Sequence, residues 1–384
     1  MPSRDELVRR AEVLAPVLRA RAEAAEAARC CPAETIDDFV RDGLLRICQP
    51  ARYGGYELGW DVLCEVSQTL ARGCGAQAWV QNIFTDHCQK VAMFPVAAQD
   101  DIWGANPNAR VSASLDPVGN GRAVDGGVRY SGRHAFASGI DHADWLLCGG
   151  QRHDADGTSE RSFFLVPRAD ARVIDDWYVV GLAGTGSKSF EVSDVFVPDH
   201  RILRDSDADG GTGPGSLVNT APIFKMPRGG ITSSGFAAVA VGIAEGFLAE
   251  YVSYTRTRKS RGTAVAELMG TEIAVGAASA EIASAAIVYL DATREAMAIL
   301  EAGGRVSQEL RLRAKRDSGF AAQLCLAAVT RLFNAAGGRA LSVKSPMQRQ
   351  FRDLLAAASH HSIVWDTVTS EYGRLILNAP EARA

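Results

Sequence analysis

The chain has 384 residues, of which 22% are charged and 47% hydrophobic, with a formal net charge of -4. That balance excludes the strong basic field of a nucleic-acid binder and the low-complexity composition of a disordered chain, and its length calls for two or three domains. Eight cysteines (Cys30, Cys31, Cys48, Cys64, Cys74, Cys88, Cys148 and Cys325) show no CxxC pair and no repeated spacing, so reduced cytoplasmic thiols are expected, with no zinc site and no disulfide framework. The opening MPSRDELVRR has no apolar signal core, and no apolar run is expected to reach bilayer length.

In chain order, Ser3 and Glu6 have capping-box spacing, and Leu7, Ala11, Leu14 and Leu18 follow at helical intervals. Pro32 opens a short second helix with Ile36, Phe39 and Val40 inward and Gly43 at its end, and the stretch 50–56 (PARYGGY) reads as a turn. Helical texture resumes over 62–72 and 76–94, and this all-α region closes near Asn106. From Val111 to about Leu203 the pattern becomes short alternating runs (VSASL, AVDGGVRYSG, WLLCGG, RSFFLVP, FEVSDVFVP) broken by Gly, Asp and Asn, as in an antiparallel sheet or small barrel. A Gly- and Asp-rich stretch, 205–215, reads as a linker or mobile loop. Four helices follow, over 231–258, 265–302, 307–336 and 347–376, the first apolar on nearly every side. The expected fold class is therefore α+β, with an N-terminal helical domain (1–107), a central antiparallel β-domain (108–210) and a C-terminal helical bundle (211–384).

Several familiar chemistries are excluded. Gly181, Gly184 and Gly186 do not make a P-loop, because Ser187 intervenes before Lys188. No GxGxxG joins a strand to a helix, no serine sits in a GxSxG elbow, and no HExxH is present. His360 and His361, read as neighbours on one helix, would point about 100° apart, which is poor geometry for a shared metal.

A set of motifs in fixed order carries a resemblance. They are PARYGG at 50–55, SASLDP at 112–117, GRHAFASG at 132–139, GTGS at 184–187, VFVP at 195–198, YTRTRKSRG at 254–262, NAAGG at 334–338 and PMQRQFRD at 346–353. Together they resemble the acyl-CoA dehydrogenase superfamily, and within it the oxygenase components of two-component flavin-dependent monooxygenases. The resemblance implies a helical domain, a β-domain and a C-terminal four-helix bundle, assembled as a homotetramer. It implies reduced flavin (FMNH2 or FADH2) delivered by a separate NAD(P)H-flavin reductase. O2 would then add at C4a, and hydroxyl would pass to a small aromatic, phenolic or polyketide-like, substrate. An N- or S-oxygenating monooxygenase, an FAD-dependent acyl-CoA dehydrogenase, and a flavin-retaining assembly partner are the alternatives.

The resemblance also assigns roles. Ser138 falls at the flavin N5/O4 edge, Phe136 beside the isoalloxazine, and Ser112 or Ser114 at its pyrimidine side. Without the likeness, Ser138 reads as a strand-turn serine bonded to backbone, and Phe136 as core. Arg258 matches a guanidinium sent across a subunit interface to the flavin phosphate, while Arg256, Lys259 and Arg261 read as a solvated helix end. Asn334, Gly337 and Gly338 stand where dehydrogenases have QxxGG. His360, seven residues after Asp353, matches an active-site histidine, and no Asp or Glu lies between Asp353 and Asp366 to serve as the base a thioester dehydrogenase needs. An imidazole of near-neutral pKa suits abstracting a phenolic proton or hydrogen-bonding the peroxide, with His361 able to exchange roles. His87 matches a second cavity histidine, with Trp79 and Phe84 as apolar walls; a helix histidine beside Asp86 is equally a structural one.

Overall fold

The computed structural model describes residues 1–227, 229–260 and 262–378. Arg261 lies outside the described residues.

The N-terminal region packs five helices: α1 (Arg4–Ala28), α2 (Ala33–Arg41), α3 (Trp60–Ala71), α4 (Gly75–Val91) and α5 (Val96–Trp103). The Ser3 hydroxyl accepts the Glu6 amide at 3.2 Å, as its capping spacing predicts, and Leu7, Ala11, Leu14 and Leu18 form the buried stripe of α1. Every residue of α4 is buried, although many are polar. Most of these find partners, Gln77 Nε2 donating to the Leu18 carbonyl at 2.9 Å and Gln81 Nε2 to the Leu44 carbonyl at 2.8 Å, while Gln89 Oε1 has none among the described residues.

Seven strands form the central sheet: β1 (Val111–Val124), β2 (Gly127–Ala137), β3 (Trp145–His153), β4 (Ser159–Pro167), β5 (Ala171–Ile174), β6 (Lys188–Pro198) and β7 (Ile202–Arg204), in the order β5-β6-β2-β1-β3-β4-β7. The sheet is antiparallel except for one pair, β1 with β3, which is parallel. The cause is topological. β2 returns to the level where β1 began, and residues 138–144 then cross to the other side of β1, so β3 starts beside Val111 and runs the same way. This crossing carries Ser138. Just before it, β2 is bulged between His134 and Ala137, and Phe136 takes a left-handed φ of 60°.

The stretch expected as a mobile loop begins with a short helix, α6 (Asp205–Gly210). Then come α7 (Ser233–Thr257), a hairpin of β8 (Lys259–Ser260) and β9 (Thr263–Ala264), α8 (Met269–Glu301), α9 (Gln308–Ala336), α10 (Pro346–Ala358) and α11 (Trp365–Leu377). The single helix expected over 347–376 is two. Ser359 turns its hydroxyl back to the Leu355 carbonyl at 2.8 Å, and the Ser362 amide donates to His360 Nδ1 at 3.3 Å, so local side-chain bonds replace the helical ladder. His360 and His361 therefore sit in an elbow, with ring centroids 4.3 Å apart, and do not project from one helix.

Contrary to the expectation that no apolar run reaches bilayer length, α7, α8 and α9 are each long and apolar enough to cross a membrane by length and composition. Alanine, valine, isoleucine and leucine raise their hydropathy, and charges are sparse enough to leave long apolar windows. In the fold these windows are 72%, 28% and 44% buried, so α7 is spent on internal packing and α8 keeps an open apolar face. Close approach explains the small residues of α7. A Cβ on Gly242 would lie 2.1 Å from the Gln68 carbonyl oxygen on α3. Gly242→Ala should therefore lower stability by about 1–3 kcal/mol despite alanine's better helix propensity, read as a lower midpoint in chemical denaturation.

Candidate active site

Three parts of the chain meet at one aromatic cluster. Trp79 comes from α4, Phe236 from α7 and His360 from the elbow between α10 and α11. The His360 ring stacks on Phe236 at 3.9 Å between centroids and meets Trp79 edge-on at 5.4 Å, while Trp79 and Phe236 are 4.9 Å apart. The other end of Trp79 reaches the β-domain, where its Nε1–H donates to Ser138 Oγ at 3.2 Å. Ser138 and His360, the two residues expected at the reacting centre, are thus brought together on a shared indole.

Ser138 belongs to a line of buried hydroxyls. Its Oγ is 2.8 Å from Ser187 Oγ, which is 2.7 Å from Thr185 Oγ1, which donates to the Leu182 carbonyl at 2.8 Å. Ser112 does not face outward to a ligand as expected: its hydroxyl donates to the Ser138 carbonyl at 2.8 Å and holds the crossing in place. Ser114, on the same face of β1, is buried, and its hydroxyl makes no hydrogen bond among the described residues and is available. Gly139 completes the seam, because a Cβ there would meet the Phe84 ring at 2.7 Å.

Both proposed histidines are neutral, in opposite tautomers. His360 Nδ1 accepts the Ser362 amide, so the ring proton is on Nε2, and burial pushes its pKa down to about 3. The expectation of a near-neutral, switchable imidazole is corrected accordingly: this ring is placed to donate a hydrogen bond. His361, outward on the elbow, also has a lowered pKa, chiefly from burial and opposed by Asp116. His87 lies two helical turns beyond Trp79, and its Nδ1 is 2.6 Å from the Val111 carbonyl. A carbonyl only accepts, so His87 carries its proton on Nδ1 and offers Nε2 as an acceptor, with burial lowering its pKa to about 4.

Phe136 is not core. The residue is 71% exposed, and its ring meets Trp177 edge-on with centroids 5.9 Å apart. A left-handed, exposed phenylalanine two residues before the hydroxyl line gives a flat apolar face beside a hydrogen-bonding edge, the pair of features an isoalloxazine requires. Arg258 lies in a second cluster. Its Nη1 donates to the Ala335 carbonyl at 3.1 Å, and a Cβ on Gly337 would be 2.8 Å from its Nη2. Gly337 has φ 76°, Asn334 and Gly338 are exposed around the end of α9, and none of Arg258's polar partners belongs to the Ser138 cluster.

Four contributors were not singled out as site residues in the sequence. Thr185 and Ser187 stand in GTGS, a motif that fails as a phosphate loop and contributes to the family resemblance without assigning either side chain a role. Phe236 is hidden in a helix apolar all round. Asp353 is buried and accepts the Leu182 amide at 2.6 Å, fastening the 182–187 turn to α10, and burial raises its pKa to about 6. Among the described residues no cluster of three or more His, Cys, Asp or Glu could hold a metal ion.

This layout of helices, sheet and helical bundle around a flat-ring cradle defines the acyl-CoA dehydrogenase fold, and residues 234–365 match the family "Acyl-CoA dehydrogenase, C-terminal domain". The crystal structure of 3-HSA hydroxylase from Rhodococcus sp. RHA1 superposes with a TM-score of 0.94 at 35% identity, covering 99% of both chains. The flavin-dependent monooxygenase oxygenase subunit HsaA of Rhodococcus jostii is 35% identical over 356 residues, 92% of this chain and 93% of that protein. The FADH2-dependent resorcinol hydroxylase oxygenase component of Rhizobium sp. is 36% identical over 383 residues, 97% of this chain and 94% of its own. The chain belongs to the oxygenase components of the two-component flavin-dependent monooxygenases.

Two measurements check this geometry. With 15N-labelled histidine, the His360 ring should show the Nε2–H tautomer and no titration between pH 5 and pH 9. Asp353→Ala should cost about 1–3 kcal/mol by stranding the buried Leu182 amide, whereas Asp353→Asn keeps an acceptor. The folded pKa of Asp353 lies above its ordinary 3.8, so the native state holds the proton more tightly and stability from this group falls as pH rises from about 4 to about 6. Measured by chemical denaturation, the stability of the parent relative to Asp353→Asn should fall over that window and stay flat above it.

Proposed function

We propose that this protein hydroxylates a small phenolic ring as the oxygenase component of a two-component system. The observation that carries the reading is the joining of Ser138 and His360 across Trp79, with His360 neutral and no carboxylate among the rings and amide it contacts. A thioester dehydrogenase would need a carboxylate base there, and Asp353, the buried one nearby in sequence, is occupied by the Leu182 amide.

When bound, reduced flavin supplies the two electrons with which O2 is divided, one oxygen atom entering the substrate as hydroxyl and the other leaving as water. The flavin is FADH2 or FMNH2, reduced by a separate NAD(P)H-dependent reductase, as a two-component system requires. Within this chain, Phe136 would give the ring an apolar face, Ser138 would meet its N5 edge, and Ser114 would offer its hydroxyl to the polar side. His360 donates from Nε2 toward the oxygen being transferred or the phenolic oxygen. His87 accepts the phenol O–H at Nε2 while Trp79 and Phe84 wall the ring, which keeps the phenol hydrogen-bonded and electron-rich without a charged base. His361 guards the outer side of the elbow.

The working division is then 1–107, 108–210 and 211–384: the first part supplies Trp79 and His87, the second Ser138, and the third Phe236 and His360. Arg258, Asn334, Gly337 and Gly338 serve the flavin phosphate of a neighbouring copy in a homotetramer. The open face of α8, with Met269, Ile273 and Ile287 each more than 60% exposed, fits burial against other copies in the cytoplasm and not a bilayer.

Three experiments test these assignments. Protein given reduced FAD or FMN, 18O2 and a panel of simple phenols should place one labelled oxygen in the product; release of hydrogen peroxide alone, with every phenol unlabelled, would refute the reading. His360→Ala should bind flavin normally, yet lower product formed per flavin oxidised about tenfold or more, the remainder appearing as hydrogen peroxide. In sizing with light scattering the parent should run as a tetramer, and Ile287→Glu should shift it to smaller species.

A further inference from the structure

We infer that Ser187 and Thr185 act as positioning residues that fix the hydrogen-bonding direction of Ser138 and thereby make the site select reduced over oxidised flavin. The inference rests on Ser138 meeting the N5 edge of the ring, and goes beyond it by assigning the selection to two side chains behind that serine.

The direction follows from counting protons. The Leu182 carbonyl can only accept, and Thr185 Oγ1 is 2.8 Å from it, so the one hydroxyl proton of Thr185 is committed there. Thr185 must then accept across its 2.7 Å contact with Ser187, which spends the proton of Ser187. Ser187 in turn accepts across its 2.8 Å contact with Ser138, which spends the proton of Ser138. From the other side, Trp79 Nε1–H has a proton and no lone pair, and donates to Ser138 at 3.2 Å. Ser138 Oγ thus gives one hydrogen bond, receives one, and keeps a single lone pair. Thr185, Ser187 and Ser138 are 1%, 5% and 7% exposed, so bulk water does not compete to turn them round.

N5 of an isoalloxazine carries a hydrogen in the two-electron-reduced ring and a bare lone pair in the oxidised ring. A serine with only a lone pair to offer pairs with N5–H and opposes the oxidised nitrogen. An oxygenase component receives its flavin already reduced and must shed it once oxidised, so a one-way hydroxyl line meets both needs without any movement of the fold.

Anaerobic titration of the whole protein with reduced flavin, and separately with oxidised flavin, yields the ratio of the two dissociation constants. The parent should bind the reduced form more tightly. Ser187→Ala removes the acceptor and releases the Ser138 proton toward the flavin. Thr185→Val lets Ser187 turn its proton onto Ser138, with the same result. Each should cut the preference for reduced flavin about tenfold, which lowers the midpoint potential of bound flavin by about 30 mV. Thr185→Ser keeps the hydroxyl and should keep the ratio. Ser138→Ala reports on the underlying reading. A ratio preserved in Ser187→Ala and Thr185→Val but lost in Ser138→Ala overturns the hydroxyl line and leaves Ser138 at the flavin; a ratio unmoved in Ser138→Ala overturns both. Circular dichroism confirms folding of each variant, and the two independent substitutions keep the test decisive if one of them does not fold.

Discussion

The constraint on which the structure depends is the complete burial of α4. A helix enclosed on every side and carrying Gln77, Gln81, Thr85, Asp86, His87 and Lys90 is stable only if most of its polar groups are answered. Gln77 and Gln81 reach carbonyls on α1 and at Leu44, and Lys90 pairs with Asp86 beneath the Trp60 ring. These bonds hold the helix against rotation and sliding, and so hold Trp79 and His87, which project from it. An apolar helix of the same length would pack as well but would be less firmly registered. Around α4 the N-terminal helices, the crossing segment of the sheet and the bundle each dock a different side.

The electrostatic character of the site comes from the same economy. No charged group supports the neutral histidines; backbone amides and carbonyls do. The Ser362 amide sets one tautomer and the Val111 carbonyl the other, so two chemically identical side chains present a donor and an acceptor. Burial then keeps both rings uncharged, since desolvation outweighs the pull of Asp86 on His87 and nothing opposes it at His360. Chemistry on an electron-rich ring gains from such a setting, because a cation beside the substrate would withdraw the density that the reaction uses.

Much of this was legible in the sequence, and the exceptions share a cause. The cap at Ser3, the strand runs between Val111 and Leu203, and the long C-terminal helices announce themselves through local periodicity. The parallel pairing of β1 and β3 does not, because it depends on which side of β1 the chain crosses to after β2. The elbow at His360 has no local signal, because apolar spacing continues from Leu354 to Val368 with no glycine or proline between. Ser138 and His360 were found by likeness and not by pattern. Phe236 had no local signal at all, since nothing distinguishes it from the other apolar residues of α7. Thr185 and Ser187 were visible as a motif, but their meaning lies in which carbonyl ends the chain of hydroxyls, and only three-dimensional placement reveals that.

The crossing at 138–144 has a consequence for how such a scaffold can change its substrate. It is stitched down on three sides: Ser112 grips the Ser138 carbonyl, the Gly139 amide donates to Thr185, and Gly139 has no room above Phe84. A bulkier or smaller guest therefore cannot be fitted by reshaping that border without unpicking the sheet. On the opposite border His360 is pinned by its stacking on Phe236 and Trp79, but the outer part of that elbow, where His361 is exposed, is held by a few local bonds and can lengthen, shorten or swap side chains at small cost. Diversity among relatives of this architecture should accordingly accumulate at the elbow, with the seam as its fixed jaw.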